Sequence, residues 1–181
     1  SEEMMGYSAG FDSGNDGNGI NMITLDYPGY GRSEGIPCEY TMKVMALSAY
    51  DEIINRSDMQ NQKIILMGYS LGTGIANYVA SKRDVDGLIL MAPYQNGYDL
   101  FNGFVDIFHG PAKLFNPYRM RADKFAQTVN VKPLMIASKD DELISYESSL
   151  ALSEKYPLGC DVKIYDGLGH GGFWQEQCVW Q

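Results

Sequence analysis

The stretch Ile64-Ile65-Leu66-Met67-Gly68-Tyr69-Ser70-Leu71-Gly72-Thr73-Gly74 constrains this chain more than any other. An apolar run of strand length stops at Gly68, and Ile75, Tyr78 and Val79 then recur at helical spacing. The pattern predicts a strand, a sharp turn and a helix, with Ser70 at the apex of the turn. Such a turn strains the backbone and brings strand and helix close together, which small residues on both sides of the serine relieve. A chance match in a chain with 20 glycines would lack this strand-and-helix context. Within it, Ser70 reads as a candidate nucleophile.

The rest of the chain supplies more strands and helices in alternation. Ser1 to Met5 reads as the start of a helix, capped by Ser1, and Gly10 to Gly19 as a loop. Ile20–Leu25 is predicted to be a strand. Asp26-Tyr27-Pro28-Gly29-Tyr30-Gly31-Arg32-Ser33-Glu34-Gly35 follows as a tight turn, read as structural because Pro and Gly give it a ready backbone explanation. Thr41 to Asn55 reads as a helix capped by Thr41, with Val44, Leu47, Tyr50 and Ile54 on one face. Gly87 to Met91, Pro133 to Ala137 and Val162 to Tyr165 read as further strands, and Ser148 to Tyr156 as a helix. Tyr94 to Val131 breaks the alternation. Its Leu100, Phe101, Phe104, Val105 and Phe108 form one apolar helical stripe, stopped by His109-Gly110-Pro111. Gly167 to Gly172 is a glycine-rich loop around His170, and a short terminal helix is expected beyond it.

Strands that are apolar on both faces and alternate with helices predict an α/β fold, a mostly parallel sheet with helices on both faces. With 181 residues and 45% hydrophobic residues, a single domain with a sizeable core is expected over 1–181. In such sheets ligands bind beyond the carboxyl ends of the strands. Ser70, the Asp140/Asp141 pair and His170 each follow a predicted strand, so they are expected to gather on one edge. A formal net charge of −9 without a basic block argues against nucleic acid and anionic membrane surfaces as partners. No run is apolar for long enough to span a bilayer. Cys38, Cys160 and Cys178 lack the spacing of a zinc site or a disulfide framework. Reduced thiols in a cytoplasmic protein are the simplest account; one disulfide with a free thiol in an exported protein is the alternative.

Four segments together resemble the α/β-hydrolase superfamily. Asp26 to Ser33 looks like its turn after an early strand, and Gly68-Tyr69-Ser70-Leu71-Gly72 like its nucleophile elbow. Pro133 to Asp141 looks like the strand that carries the acid, and Gly167-Leu168-Gly169-His170 like the histidine loop. The order Ser, Asp, His is the one this superfamily uses. The resemblance implies Ser70 as nucleophile, His170 as base and Asp141 as the acid that orients it, with no cofactor and no metal. His109, the other histidine, lies between nucleophile and acid and does not fit the order. Asp141 rather than Asp140 falls in register with the family pattern, which leaves Asp140 as a solvated neighbour.

The chemistry needs all three residue types. A serine hydroxyl is a weak nucleophile and needs an adjacent base. Histidine changes protonation state near neutral pH, and a carboxylate holds its imidazole in the useful tautomer. The resemblance further implies an oxyanion hole with the Leu71 N–H as one donor. The loop that would supply the second donor is expected at or before Ser1, together with strands that normally precede it; the alternative is a reduced domain with a defective hole. The segment at about 94–131 is expected to form a small helical cap, its stripe either packing on the core or lining an acyl pocket. The function implied is hydrolysis of a carboxylic ester, thioester or small amide of a small-molecule acyl substrate. An acyltransferase with the same residues, or a non-catalytic interaction domain on this scaffold, are the alternatives.

Overall fold

A computed structural model describes residues 21–104 and 119–174, with the backbone alone for 102–104. Its centre is a four-stranded parallel sheet. The strands are β1 (Ile65–Tyr69), β2 (Gly87–Met91), β3 (Leu134–Ser138) and β4 (Asp161–Tyr165), adjacent in chain order. All three pairings are parallel, with Met67 opposite Ile89, Leu90 opposite Met135 and Ile136 opposite Lys163. The helices are α1 (Glu39–Ile54), α2 (Leu71–Ala80), α3 (Gly97–Phe104), α4 (Ala122–Ala126) and α5 (Tyr146–Ser153). Parallel neighbours need a crossover between them, and α2 makes it between β1 and β2.

Side chains alternate across the strands into two apolar layers. Leu88, Leu90 and Met135 point to the helical side, where they meet Ala76 and Ala80 of α2, Ala122 and Ala126 of α4, and Leu152 of α5. Met91 and Ile136 point to the other side, where Phe173 of a 3₁₀ turn (Gly172–Trp174) closes over them, fully buried. The small side chains of α2 let that helix approach β1 and β2 closely, and α4 packs against α2. A second cluster on the helical side joins Met42, Ala46 and Tyr50 of α1 to Ile75, Val79, Tyr94 and Leu100.

The expected first strand is not a strand. Residues 21–25 run without a ladder partner, and Ile23 and Leu25 stay 49% and 38% exposed. A strand exists only through its neighbour, and apolar composition cannot supply one; among the described residues β1 pairs on its β2 side alone. Ile20, the Ser1–Met5 helix and the Gly10–Gly19 loop lie outside the described residues.

The turn that follows is built as a turn should be. The Arg32 N–H donates to the Asp26 carboxylate at 3.2 Å, and the Ser33 hydroxyl to the Asp26 carbonyl at 2.6 Å. Gly31 has a φ of +54°, and a β-carbon there would fall 2.4 Å from that carboxylate.

Helix α1 also differs from expectation. Its cap is Cys38, whose sulfur accepts from the Thr41 N–H while the Thr41 side chain accepts from the Cys38 N–H. Thr41 therefore sits three residues inside the reciprocal capping arrangement. The buried face is Met42, Ala46 and Tyr50, and Val44 and Ile54 are 45% and 41% exposed. Two apolar stripes were available on this helix, and packing against α2 selected the one that includes Met42 and Ala46. Helix α5 begins at Tyr146, ahead of the expected Ser148; Ser145 stands at its N-cap position without a side-chain cap bond, its hydroxyl donating to the Glu147 carboxylate instead.

The two described flanks of the 94–131 segment belong to the core: Tyr94, Leu100, Met120, Ala122 and Val129 are each no more than 1% exposed. Of the apolar stripe, Leu100 and Phe101 pack in the second cluster. The side chain of Phe104, and Val105, Phe108 and His109 altogether, lie outside the described residues, as does Cys178. Cys38 and Cys160 are free thiols. Among the described residues no helix is long and apolar enough to cross a membrane.

Candidate active site

Ser70 stands between the last residue of β1 and the first of α2, with φ 49° and ψ −120°. A non-glycine residue in that region costs on the order of 1–3 kcal/mol and persists only where its surroundings over-determine it. Here they do. The Ser70 N–H donates to the Met91 carbonyl of β2 at 2.9 Å, and the Thr73 N–H and hydroxyl both donate to the Ser70 carbonyl, at 2.9 and 2.7 Å. With its backbone held from both sides, the Ser70 hydroxyl has no capping role on α2. It meets His170 Nε2 at 2.9 Å.

The glycines around the elbow do unequal work. A β-carbon on Gly68 would lie 2.7 Å from the Gly72 carbonyl oxygen and 2.8 Å from the Thr73 α-carbon, both backbone atoms that cannot swing away. On Gly74 it would strike the Tyr94 hydroxyl at 2.1 Å. On Gly72 it would only touch the Tyr27 hydroxyl at 3.5 Å, an ordinary contact. The crowding that sequence reading placed on both sides of Ser70 therefore falls on Gly68 and Gly74, and Gly72 contributes its backbone to it. Gly68→Ala should lose about 1–3 kcal/mol of stability through overpacking. Gly72→Ala should be neutral or gain up to about 1 kcal/mol from helix propensity. Urea denaturation of the two variants measures the difference, and a costlier Gly72→Ala would refute this account.

The acid loop leaves β3 at Ser138. Asp141 turns back on itself: its Oδ1 accepts the Leu143 and Ile144 N–H groups at 2.9 and 2.8 Å. Both of its oxygens also lie 2.9 Å from His170 Nδ1. The Asp141 side chain is 1% exposed, so this contact is made away from water, where electrostatic interactions are stronger. Asp140, adjacent in sequence, points elsewhere. Its carboxylate is exposed but not merely solvated, as the sequence suggested: it accepts the Gly167 N–H of the histidine loop. A chain turning sharply after a strand sends successive side chains in different directions, and only one of the pair can face the imidazole.

The histidine loop leaves β4 through Gly167 and Gly169, with φ of +80° and +59°. His170 then lies 9% exposed, with Nε2 on Ser70 and Nδ1 on Asp141. Its own peptide is held as well. The His170 N–H donates to Glu142 Oε2 at 2.9 Å, and the Tyr69 hydroxyl donates to the His170 carbonyl at 2.6 Å. Neither residue was singled out from the sequence. Each directly adjoins one that was: Tyr69 precedes Ser70, and Glu142 follows Asp141.

The Leu71 N–H is the first of α2, and the first N–H groups of a helix have no acceptor within it. It stands next to Ser70 at the positive end of the helix. Beneath it the Tyr94 hydroxyl donates to the Leu71 carbonyl at 3.2 Å. Burial pushes the Tyr27 phenol up to about 12 and raises that of Tyr94 further, so both stay neutral beside the elbow. A cleft of about 540 Å³ is lined by Gln95, Asp99, Asp141, Glu142 and Ser148 among others. Neither Ser70 nor His170 lines it, so it is a groove along the acid loop and not the place where the serine would react. Among the described residues no cluster of His, Cys, Asp and Glu is arranged to hold a metal ion.

A family model described as the alpha/beta hydrolase fold matches residues 5–129. Similar curated proteins include the alpha/beta hydrolase domain-containing protein aho-3 of Caenorhabditis elegans, 27% identical over 150 residues that cover 83% of this chain and 43% of that protein. The human alpha/beta hydrolase domain-containing protein 17C is 29% identical over 150 residues, 83% of this chain and 44% of its own length. The chain thus spans less than half the length of these relatives. Among solved structures, an esterase of Pyrococcus furiosus superposes with a TM-score of 0.67 at 14% identity, over 83% of this chain and 62% of the other. Acetyl xylan esterase 1 of a Thermoanaerobacterium species gives 0.63 at 16% identity, over 80% and 59%. At these identities the structural likeness is one of fold.

Proposed function

This chain belongs to the alpha/beta hydrolase fold family, and from that premise we propose that it is a serine hydrolase acting on a carboxylic ester, thioester or small amide through an acyl-enzyme on Ser70. The observation that carries this reading is the continuous hydrogen-bonded line from the Ser70 hydroxyl through both ring nitrogens of His170 to Asp141. A line of this kind makes a serine nucleophilic. His170 Nε2 takes the hydroxyl proton as Ser70 Oγ attacks the substrate carbonyl. Asp141 holds the proton on Nδ1 and stabilises the imidazolium that forms. The charge on the tetrahedral oxygen develops beside the Leu71 N–H, which serves as an oxyanion donor. Collapse breaks the bond to the leaving group, which receives the proton from Nε2. Water, deprotonated by the same nitrogen, then attacks the acyl carbon; the bond to Ser70 Oγ breaks, Nε2 returns its proton to that oxygen, and the acid is released.

The solved neighbours named as esterases share the fold and make an ester the first substrate to test. The segment at about 94–131, whose described flanks pack in the core, is proposed to supply between those flanks the cap that shapes substrate choice.

Labelling with a fluorophosphonate tests the reading directly. This probe forms a covalent bond only with an activated serine. Intact mass should rise by one adduct, and peptide mapping should place it on Ser70. A chain that takes no label under conditions where it is folded would instead be a non-catalytic domain on this scaffold.

A further inference from the structure

We propose that Tyr69 and Glu142 are positioning residues for His170, which they grip by its backbone on opposite sides. The inference rests on the serine-hydrolase reading and deepens it. His170 sits in a loop whose Gly167 and Gly169 carry positive φ, a backbone with high intrinsic freedom. The Asp141 contact sets the ring but leaves the position of the main chain open. Two bonds close that freedom: Glu142 Oε2 accepts the His170 N–H at 2.9 Å, and the Tyr69 hydroxyl donates to the His170 carbonyl at 2.6 Å.

The Tyr69 ring adds a third contact. Its centroid lies 5.3 Å from that of the imidazole, and Phe173 and Trp174 meet it edge-on at 6.4 and 5.6 Å. The imidazole is thereby walled on the side of Tyr69.

The placement ties the three reacting groups together. Tyr69 is bonded through one peptide to the nucleophile, and Glu142 through one peptide to the acid. A shift of the base relative to either would have to stretch one of these two bonds. Misplacement of a reacting group by about 1 Å can cost 10²-fold in rate, so loss of a single grip should be visible in turnover without any change in the groups that react.

Four variants test this: Tyr69→Phe, Glu142→Ala, Glu142→Gln and the Tyr69→Phe/Glu142→Ala double. Each is assayed for kcat and KM on p-nitrophenyl acetate and for thermal unfolding, and the imidazole protons are followed by NMR. The chain has two histidines, which makes the assignment of His170 direct. Tyr69→Phe and Glu142→Ala should each lower kcat about tenfold, as a lost hydrogen bond of ordinary strength would, with KM within about twofold. Glu142→Gln keeps a carbonyl acceptor and should restore most of the rate. The hydrogen-bonded Nδ1 proton of His170 should weaken or vanish in Tyr69→Phe and in Glu142→Ala. Unchanged kcat in both would overturn the proposal. So would a loss that follows the melting temperature and is not restored by Glu142→Gln, because that marks a merely structural role. If the unaltered chain neither turns over nor takes the fluorophosphonate, the serine-hydrolase reading fails. The Nδ1 signal then decides the positioning proposal alone: its loss in both variants upholds the grip, and its persistence refutes it.

Discussion

Replacing Ser70 with alanine is expected to abolish turnover of p-nitrophenyl acetate while leaving the fold in place. The hydroxyl makes no cap on α2, and its partner among the described residues is His170, so its removal breaks no bond that shapes the elbow. The backbone bonds that hold the apex, Ser70 N–H to Met91 and Thr73 to the Ser70 carbonyl, remain. Alanine keeps the strained φ of 49° that serine already tolerates. The loss should be in kcat and should approach the effect of removing the whole machinery, on the order of 10⁶-fold in the best-studied case. His170→Ala should cost nearly as much, because a serine without its base is no better than a serine in water. Circular dichroism checks the fold, and kcat is compared on equal amounts of folded protein. Retained activity in Ser70→Ala would dismiss the acyl-enzyme.

Asp141→Asn is expected to leave a folded protein whose rate falls on the order of 10⁴-fold. The asparagine oxygen can still accept the Leu143 and Ile144 N–H groups that Asp141 Oδ1 accepts now. Its amide nitrogen then faces His170 Nδ1. An amide N–H there forces Nδ1 to accept and so moves the ring proton to Nε2, the atom that must be free to take the Ser70 proton. The residue next to it supplies the control. Asp140 accepts the Gly167 N–H, which an asparagine carbonyl also can, so Asp140→Asn should stay within a few fold of the parent. Both are measured as kcat/KM at neutral pH. A large loss in Asp140→Asn with little in Asp141→Asn would move the acid by one residue.

Much of this arrangement is legible in one dimension because its parts are local. A strand, a tight turn and a helix in one run from Ile65 to Ala80 leave a pattern that can be read without neighbours, and Ala92-Pro93 marks the end of Gly87–Met91 as plainly. The chain order Ser70, Asp141, His170 needs only the positions of three strand ends. By contrast, only the family register separates Asp141 from its neighbours in Asp140-Asp141-Glu142; the partners of the other two carboxylates, the Gly167 N–H for Asp140 and the His170 N–H for Glu142, appear only in the fold. Tyr69 is likewise an unremarked position within the elbow pattern until its hydroxyl is seen to reach a residue 101 positions away.

The sequence by itself thus determined a parallel sheet with an elbow serine and the loops that carry a carboxylate and an imidazole, since the signals for these are short-range: apolar runs, helical spacing and glycine at turns. The tertiary structure alone decided the rest. Residues 21–25 have the composition of a strand and form none, because a ladder needs a second chain segment alongside. Helix α1 carries more apolar residues than one face can bury, and contact with α2 left Val44 and Ile54 in solvent. Where each of three neighbouring carboxylates points, and which residues hold His170, depends on directions that a turn imposes after the chain has folded. Those directions arise from distances of about 3 Å between residues far apart in sequence, and no local pattern encodes them.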